Sequence, residues 1–161
     1  MAEFPAPSAH ARMLQASGNG LQRGEHVFTA IRFHRNRLAD YGTFTVAARF
    51  CGSAVHKTAD PSPHAAPPMA SRVGQYRDGL LAITNLHLLL YRRRGLASGY
   101  NPAEAFGVTE VRSITPAKSH FVHPIALVFV DGSSCQLDTN TARERRHLFE
   151  VLAALRAASF S

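Results

Sequence analysis

The chain has 161 residues, 45% of them hydrophobic and 18% charged, which excludes disorder throughout and favours one domain with a full hydrophobic core. Its formal net charge of +7 predicts a basic surface that favours anionic partners: nucleic acid, acidic lipid headgroups or an acidic protein face. Two cysteines, Cys51 and Cys135, are too few for a disulfide framework, and no apolar run reaches the roughly 18 residues of a membrane-spanning helix. We therefore expect a cytoplasmic protein without a transmembrane segment.

The N-terminal third is predicted to hold an arm followed by a β-hairpin. Residues 1–22 are rich in Pro and Gly at their two ends and indicate a flexible arm, with a short helix over residues 8–15 as the alternative. Residues 27–34 alternate between apolar and polar side chains, and residues 43–50 do so again. The polar segment 36–42 separates the two runs, so together they predict an antiparallel hairpin.

Residues 51–78 break this pattern, because they hold four prolines and show neither helical nor strand periodicity. Structureless loops longer than about 12–15 residues are uncommon inside a domain. We therefore predict a Pro-rich insertion loop between the second and third strands. It is either a lid or docking loop, or a surface insertion that the fold tolerates.

The most apolar stretch, residues 79–91, is interrupted once, by Thr84-Asn85. Leucine and isoleucine alternate on both sides of the interruption, and Asn tolerates the left-handed backbone conformation that a tight turn needs. This pattern predicts two short buried strands joined by a turn at the centre of a sheet.

The remaining chain is predicted to add three strands and one helix. Residues 96–106 indicate a loop, and residues 108–115 a bulged strand, although their spacing by three is also helix-like. Residues 121–130 and 133–138 indicate two strands joined by a type I′ turn at Asp131-Gly132. Seven strand candidates precede the helix, which favours two packed sheets or a partly closed barrel.

The predicted C-terminal helix begins with a capping box formed by Thr141 and Glu144. Leu148, Leu152 and Leu155 then form an apolar stripe at helical spacing. An amphipathic helix of this kind can close the open end of a partly closed barrel.

The motif G-x-L-x-x-T-N-x-x-L-L-L-Y over residues 79–91 resembles the central hairpin of GRAM domains and bacterial pleckstrin-homology-like (PH-like) domains. Gly24-Glu25 before the first strand and Phe129-x-Asp131-Gly132-Ser133 in the penultimate hairpin add to the resemblance, which covers residues 24–155 outside the insertion. It implies a single PH-like domain over residues 23–161, a split barrel of about seven antiparallel strands capped by one helix. The family hairpin often carries Arg where this chain has His87.

Two groups of arginines are candidates for an anion-binding site. Three guanidinium groups at a strand end can bind phosphates through bidentate hydrogen bonds, although a solvated turn that protects an apolar hairpin has the same composition. If the first-hairpin loop and the loop after Tyr91 lie at one end of a PH-like sandwich, the two groups form one site. The candidates are Arg32, Arg35 and Arg37 near the first hairpin, and Arg92, Arg93 and Arg94 after the central hairpin.

Catalytic and metal sites are not predicted. His120 and His123 would face opposite sides of a strand, and no Cys–His spacing matches a zinc site. No nucleophile with a neighbouring base, pair of carboxylates or Gly-rich phosphate loop stands out. We therefore expect a protein that is not an enzyme and that needs no cofactor or metal.

Three functions remain after these exclusions. The first is a non-catalytic PH/GRAM-like binding or adaptor module that engages an anionic membrane surface or an acidic protein segment, with peripheral attachment at the membrane. The alternative is a scaffold or assembly subunit that binds a protein partner through a sheet edge or the Pro-rich loop. The third is a nucleic-acid-binding protein, which the charge favours but the placement of aromatic residues does not.

Overall fold

The computed structural model of the chain describes residues 4–35, 67–95, 99–118 and 123–159. Over these ranges it has seven strands and three helices. The strands are β1 (Val27–His34), β2 (Asp78–Thr84), β3 (His87–Arg93), β4 (Tyr100–Gly107), β5 (Val111–Pro116), β6 (His123–Phe129) and β7 (Ser134–Thr139). The helices are α1 (Ala9–Ser17), α2 (Met69–Gly74) and α3 (Ala142–Ser159).

The strands form one antiparallel sheet in the order β4-β3-β2-β1-β7-β6-β5. Strand β1 joins its two halves, because it pairs with β2 along its whole length but with β7 only at Phe33 and His34. The fold is therefore mainly β with a C-terminal helix, as the sequence predicted, and it is consistent with a PH-like split barrel. None of the helices in the described ranges is long and apolar enough to cross a membrane.

The β2–β3 hairpin is buried on both faces, which explains why its sequence is so continuously apolar. Its core-facing residues, among them Leu81 and Leu90, pack with β1, β5, β6 and both later helices. Its other face, with Leu80 and Tyr91, packs with Ala11 and Leu14 of α1 in a second cluster. The predicted turn is confirmed but lies one residue later, because Thr84 is the last residue of β2. Asn85 and Leu86 connect the strands, and Ile83 pairs with Leu88 across them.

Of the two predictions for the N-terminal segment, the structure has the helix. Ser8 caps α1 by accepting a hydrogen bond from the Ala11 N–H, and Gly18 ends it in the left-handed conformation at φ 62°. Ser8 Oγ also donates to the carbonyl of Ala30 at 2.8 Å, so the cap fastens α1 to β1.

Two of the predicted segments differ from the structure. Residues 96–106 were expected to form a loop, but residues 100–107 form β4. Pro102 is compatible with this strand because β4 lies at the edge of the sheet. Sheets tolerate a proline in an edge strand, where its missing N–H can face away from the neighbouring strand. The pairing also shifts register beside Pro102, between Leu90 and Tyr91. The second is the predicted insertion, residues 51–78: its residues 69–74 form α2, and its last residue, Asp78, begins β2.

The predicted strand 43–50, the turn 36–42 and residues 51–66 lie outside the described residues, and with them the hairpin expected between residues 27–34 and 43–50. In the described chain β1 pairs with β2 and β7. The predicted bulge in the fifth strand is confirmed between Val111 and Ser113. One half of the capping box is confirmed, since the Glu144 N–H donates to Thr141 Oγ1 at 3.1 Å, while the Glu144 carboxylate accepts from the Thr141 hydroxyl at 3.4 Å.

Candidate functional site

Several of the predicted arginines lie together at one end of the sheet. Phe33 near the end of β1 pairs with Gly79 near the start of β2, and Gly79 pairs in turn with Arg92 near the end of β3. This register brings the residues that follow β1 close to those that end β3. We call this region the arginine end and define it by Arg35, Arg92, Arg93 and Arg94; Arg37 lies outside the described residues.

The three consecutive arginines do not point the same way, because successive side chains of a strand alternate between the two faces. Arg92 shares the core-side face with Leu90, and Arg93 shares the outer face with Tyr91. All three side chains are exposed, and none has an ion-pair partner among the residues that the structure describes. The charge is therefore spread around the tip of a strand and does not converge on one point.

Arg92 also acts electrostatically on Tyr76, the residue that follows α2 by two positions. Burial and the neighbouring Glu104 carboxylate raise the pKa of Tyr76, while Arg92 and Arg72 oppose that rise. The Arg92 guanidinium thus contributes positive charge next to Tyr76, just after the end of α2.

Arg35 holds the end of α2 in place. Its guanidinium Nη1 donates to the carbonyl of Gly74, the last residue of the helix, and its backbone N–H donates to the carbonyl of Arg77 at 2.6 Å. The last carbonyls of a helix lack hydrogen-bond donors within the helix, and the Arg35 guanidinium supplies one to Gly74. Arg35 lies at the arginine end but has a structural partner.

Arg32 is directed elsewhere. Its Nε lies 3.7 Å from Oε1 of Glu144 in the first turn of α3, and its backbone N–H donates to the same oxygen at 3.5 Å. His10 of α1 lies at the same place, and its pKa is lowered by burial and by Arg32, with Glu144 opposing. The structure brings Arg35 together with Arg92, Arg93 and Arg94, but it turns Arg32 towards α3.

Sequence reasoning missed a buried hydrogen-bond network around Glu25, whose side chain is completely buried. Glu25 Oε1 accepts a hydrogen bond from the Thr84 hydroxyl at 2.5 Å and lies 2.9 Å from Nδ1 of His87, while Oε2 accepts from the Gln22 N–H. Burial works to raise the pKa of Glu25, but these hydrogen bonds together with the nearby His87 hold it below its usual value.

The same network joins two separate motifs of the GRAM-like pattern. Asn85 Oδ1 accepts from the His26 N–H at 2.7 Å, and Asn85 Nδ2 donates to the carbonyl of Gly24. Gly24-Glu25 and Thr84-Asn85 are thus the two sides of one contact. The two motifs occur together in the GRAM-like pattern, and this co-occurrence is the sequence signal that could have predicted their contact.

Helix α2 is the second feature that the sequence did not reveal. The N–H groups of Met69 and Ala70 donate to Asp131 Oδ2 and Ser133 Oγ, which belong to the β6–β7 turn. The hydrogen bonds from Ser133 and Met69 lower the pKa of Asp131. This turn therefore caps a helix that lies more than sixty positions earlier in the chain.

The other side of α2 is held by β4. The Nη2 and Nε atoms of Arg72 lie 2.6 and 2.9 Å from Oε2 of Glu104, and its guanidinium carbon lies 4.5 Å above the ring of Phe106. Ala70 and Val73 are buried in the main core. Helix α2 thus closes the barrel beside the arginine end.

The described ranges contain no group of three or more His, Cys, Asp or Glu side chains placed to hold a metal ion. Burial raises the pKa of the Cys135 thiol to about 12, so this thiol is protonated at neutral pH and is a poor nucleophile. Cys51 and His120 lie outside the described residues.

No family model matches this chain, and no curated protein sequence matches it either. The likeness to GRAM and bacterial PH-like domains therefore rests on the motifs and on the fold described above.

Proposed function

We propose that the protein is a non-catalytic binding module of the PH-like or GRAM-like kind, and that its arginine end attaches to an anionic membrane surface. The observation that carries the proposal is the register of β1, β2 and β3, which brings the ends of β1 and β3 to the same end of the sheet, on either side of the start of β2. The exposed guanidinium groups of Arg92, Arg93 and Arg94 lie there without ion-pair partners among the described residues.

The spread of the three arginines favours a surface over a single small anion as the partner. Arg92 and Arg93 emerge from opposite faces of β3, so one phosphate would not receive both side chains easily. A membrane presents many headgroups at once, and each basic residue near it contributes about 1 kcal/mol. Such binding weakens as salt screens the charges.

The experiment that tests this proposal is co-sedimentation of the full chain with vesicles of phosphatidylcholine, with and without phosphatidylserine, at low and high salt. Binding is expected only with phosphatidylserine and only at low salt. An acidic protein segment is the other partner that this surface could take. If vesicles do not bind at low salt, the membrane proposal is wrong, and titration with poly-glutamate then tests the acidic segment.

A second candidate function is a scaffold that binds an extended peptide along a sheet edge. The observation that favours it is that β4 and β5 are the two edge strands of the described sheet. Binding of this kind depends on main-chain hydrogen bonds, so it should survive charge reversal at Arg92, Arg93 and Arg94. A pull-down with the charge-reversed protein distinguishes the two candidates.

A further inference from the structure

A pocket of about 500 Å³ opens at the end of the sheet opposite to the arginine end. It lies between the β2–β3 turn, β5 and the C-terminal half of α3. Its interior is formed by aliphatic side chains of these elements. They include Ile83, Leu88, Val111, Ile114, Leu152 and Leu155.

Polar residues also line the pocket: two arginines, together with Thr84, Asn85, His87 and Ser113. Arg112 of β5 and Arg156 of α3 are both exposed, and neither has an ion-pair partner in the part of the chain that the structure describes. The nearby Glu110 carboxylate accepts a hydrogen bond from the Gly107 N–H at 2.6 Å, and His87 in the wall is paired with Glu25. The two guanidinium groups thus provide positive charge beside an apolar interior.

The apolar surface continues outward from the pocket to the tips of two turns, the β2–β3 turn and the β4–β5 turn. Leu86 is 39% exposed and Val108 is 53% exposed, and the Val108 N–H donates to the Leu86 carbonyl at 3.1 Å. Single exposed apolar residues are ordinary on protein surfaces. Here the two tips are joined to each other, and Val108 also lines the pocket.

We propose that this pocket binds a single-chain amphiphile with an anionic headgroup. The acyl chain lies against the aliphatic interior, and Arg112 and Arg156 bind the carboxylate or phosphate. The volume lies within the range of about 300–1,000 Å³ that is usual for small-molecule pockets. Charge complementarity selects the headgroup and apolar burial selects the chain, so neither inorganic phosphate nor a neutral alkyl alcohol meets both requirements.

The test is a fluorescence titration of the full chain with cis-parinaric acid, a fatty acid that becomes fluorescent in an apolar site. Binding should saturate at one probe per chain. Palmitate and lysophosphatidic acid should both displace the probe. The ratio of their inhibition constants then shows whether a free fatty acid or a lysophospholipid is the preferred ligand. Hexadecanol and lysophosphatidylcholine should compete at least about tenfold more weakly, because they offer no net negative charge to Arg112 and Arg156.

Two variants locate the site. Arg112→Glu with Arg156→Glu should weaken probe binding by about tenfold or more, and Val108→Asp, at an exposed position, should weaken it through a like charge at the mouth. The matched control is Arg143→Glu with Arg146→Glu, which makes the same change in net charge on exposed residues of α3 and should leave binding unchanged.

Thermal melts of all variants verify that they are folded. The proposal is overturned if binding does not saturate, if hexadecanol competes as well as palmitate, or if the Arg112 and Arg156 variant binds as the native protein does. This site does not depend on the arginine end. A protein that fails to bind vesicles but binds palmitate would contradict the proposed function and support this inference.

Discussion

At the scale of single residues, the carboxylate of Glu25 is a completely buried acidic group in the described structure. It is buried, so it needs partners, and it receives hydrogen bonds from Gln22 and Thr84 and lies beside His87. The imidazole of His87, with its Nδ1 2.9 Å from Oε1, is a direct neighbour of this carboxylate.

The lowered pKa of Glu25 predicts how stability depends on pH. A carboxyl group whose pKa is lower in the folded state stabilises the fold above its unfolded pKa, and this contribution is lost as pH falls through the folded pKa. Glu25→Gln should therefore be less stable than the native protein at neutral pH, by roughly 1–3 kcal/mol, and the gap should narrow in acid. Urea unfolding across this pH range measures the difference.

His87 faces Glu25 directly, with its Nδ1 2.9 Å from Glu25 Oε1, and it is left unchanged in this comparison. The control is Glu150→Gln, which changes an exposed glutamate of α3 and should leave the pH profile as it is. Native and Glu25→Gln curves that stay parallel into acid would contradict the assignment.

Gly79 is a second residue whose identity the packing requires. A Cβ atom at this position would overlap the carbonyl oxygen of Tyr91 on the neighbouring strand and lie 3.1 Å from Cε1 of Phe33. Gly79→Ala should therefore destabilise the fold, by on the order of 1–3 kcal/mol in chemical denaturation. Gly107→Ala is the matched control, since its Cβ would have only ordinary contacts, the nearest at 3.5 Å. Equal stability of the two variants would refute this explanation.

At the scale of elements, the sequence predicted those whose cause is local. The β2–β3 hairpin was recognisable because burial on both faces leaves an apolar run, and α3 because Thr141 and Glu144 cap it within its own segment. Helix α2 was not, because it is six residues long and its caps come from Asp131 and Ser133. Edge strand β4 was missed because a proline usually indicates a loop.

The remote capping of α2 predicts a local loosening when its partners are removed. Asp131→Ala with Ser133→Ala should increase hydrogen exchange in residues 69–77, because the first N–H groups of the helix lose their acceptors. Exchange in the β2–β3 hairpin should remain slow. Thr141→Ala removes the cap of α3 instead, so it should loosen α3 and leave α2 as it is. Unchanged exchange in α2 after the double substitution would show that the turn does not hold it.

At the scale of the whole molecule, two ends of one barrel differ in chemistry. One end carries Arg92, Arg93 and Arg94, which have no ion-pair partner among the residues that the structure describes, and the other has an apolar pocket with two arginines in its lining. The arginine runs themselves were visible in the sequence. Their positions in space were not visible in the sequence, because the register of β1, β2 and β3 determines which arginines lie at the same end of the sheet. Arg32 is directed away by its contact with Glu144, more than a hundred residues later in the chain.

The central claim is that Arg92, Arg93 and Arg94 attach the protein to anionic membranes, and the most direct measurement compares the vesicle affinity of charge-reversed proteins. Reversal of all three to Glu should lower the affinity for phosphatidylserine vesicles by about a hundredfold or more, since each basic residue contributes about 1 kcal/mol. Reversal of the exposed Arg12, Arg143 and Arg146, with the same change in net charge, should lower it far less. Equal losses in the two variants, or none in the first, would contradict the claim.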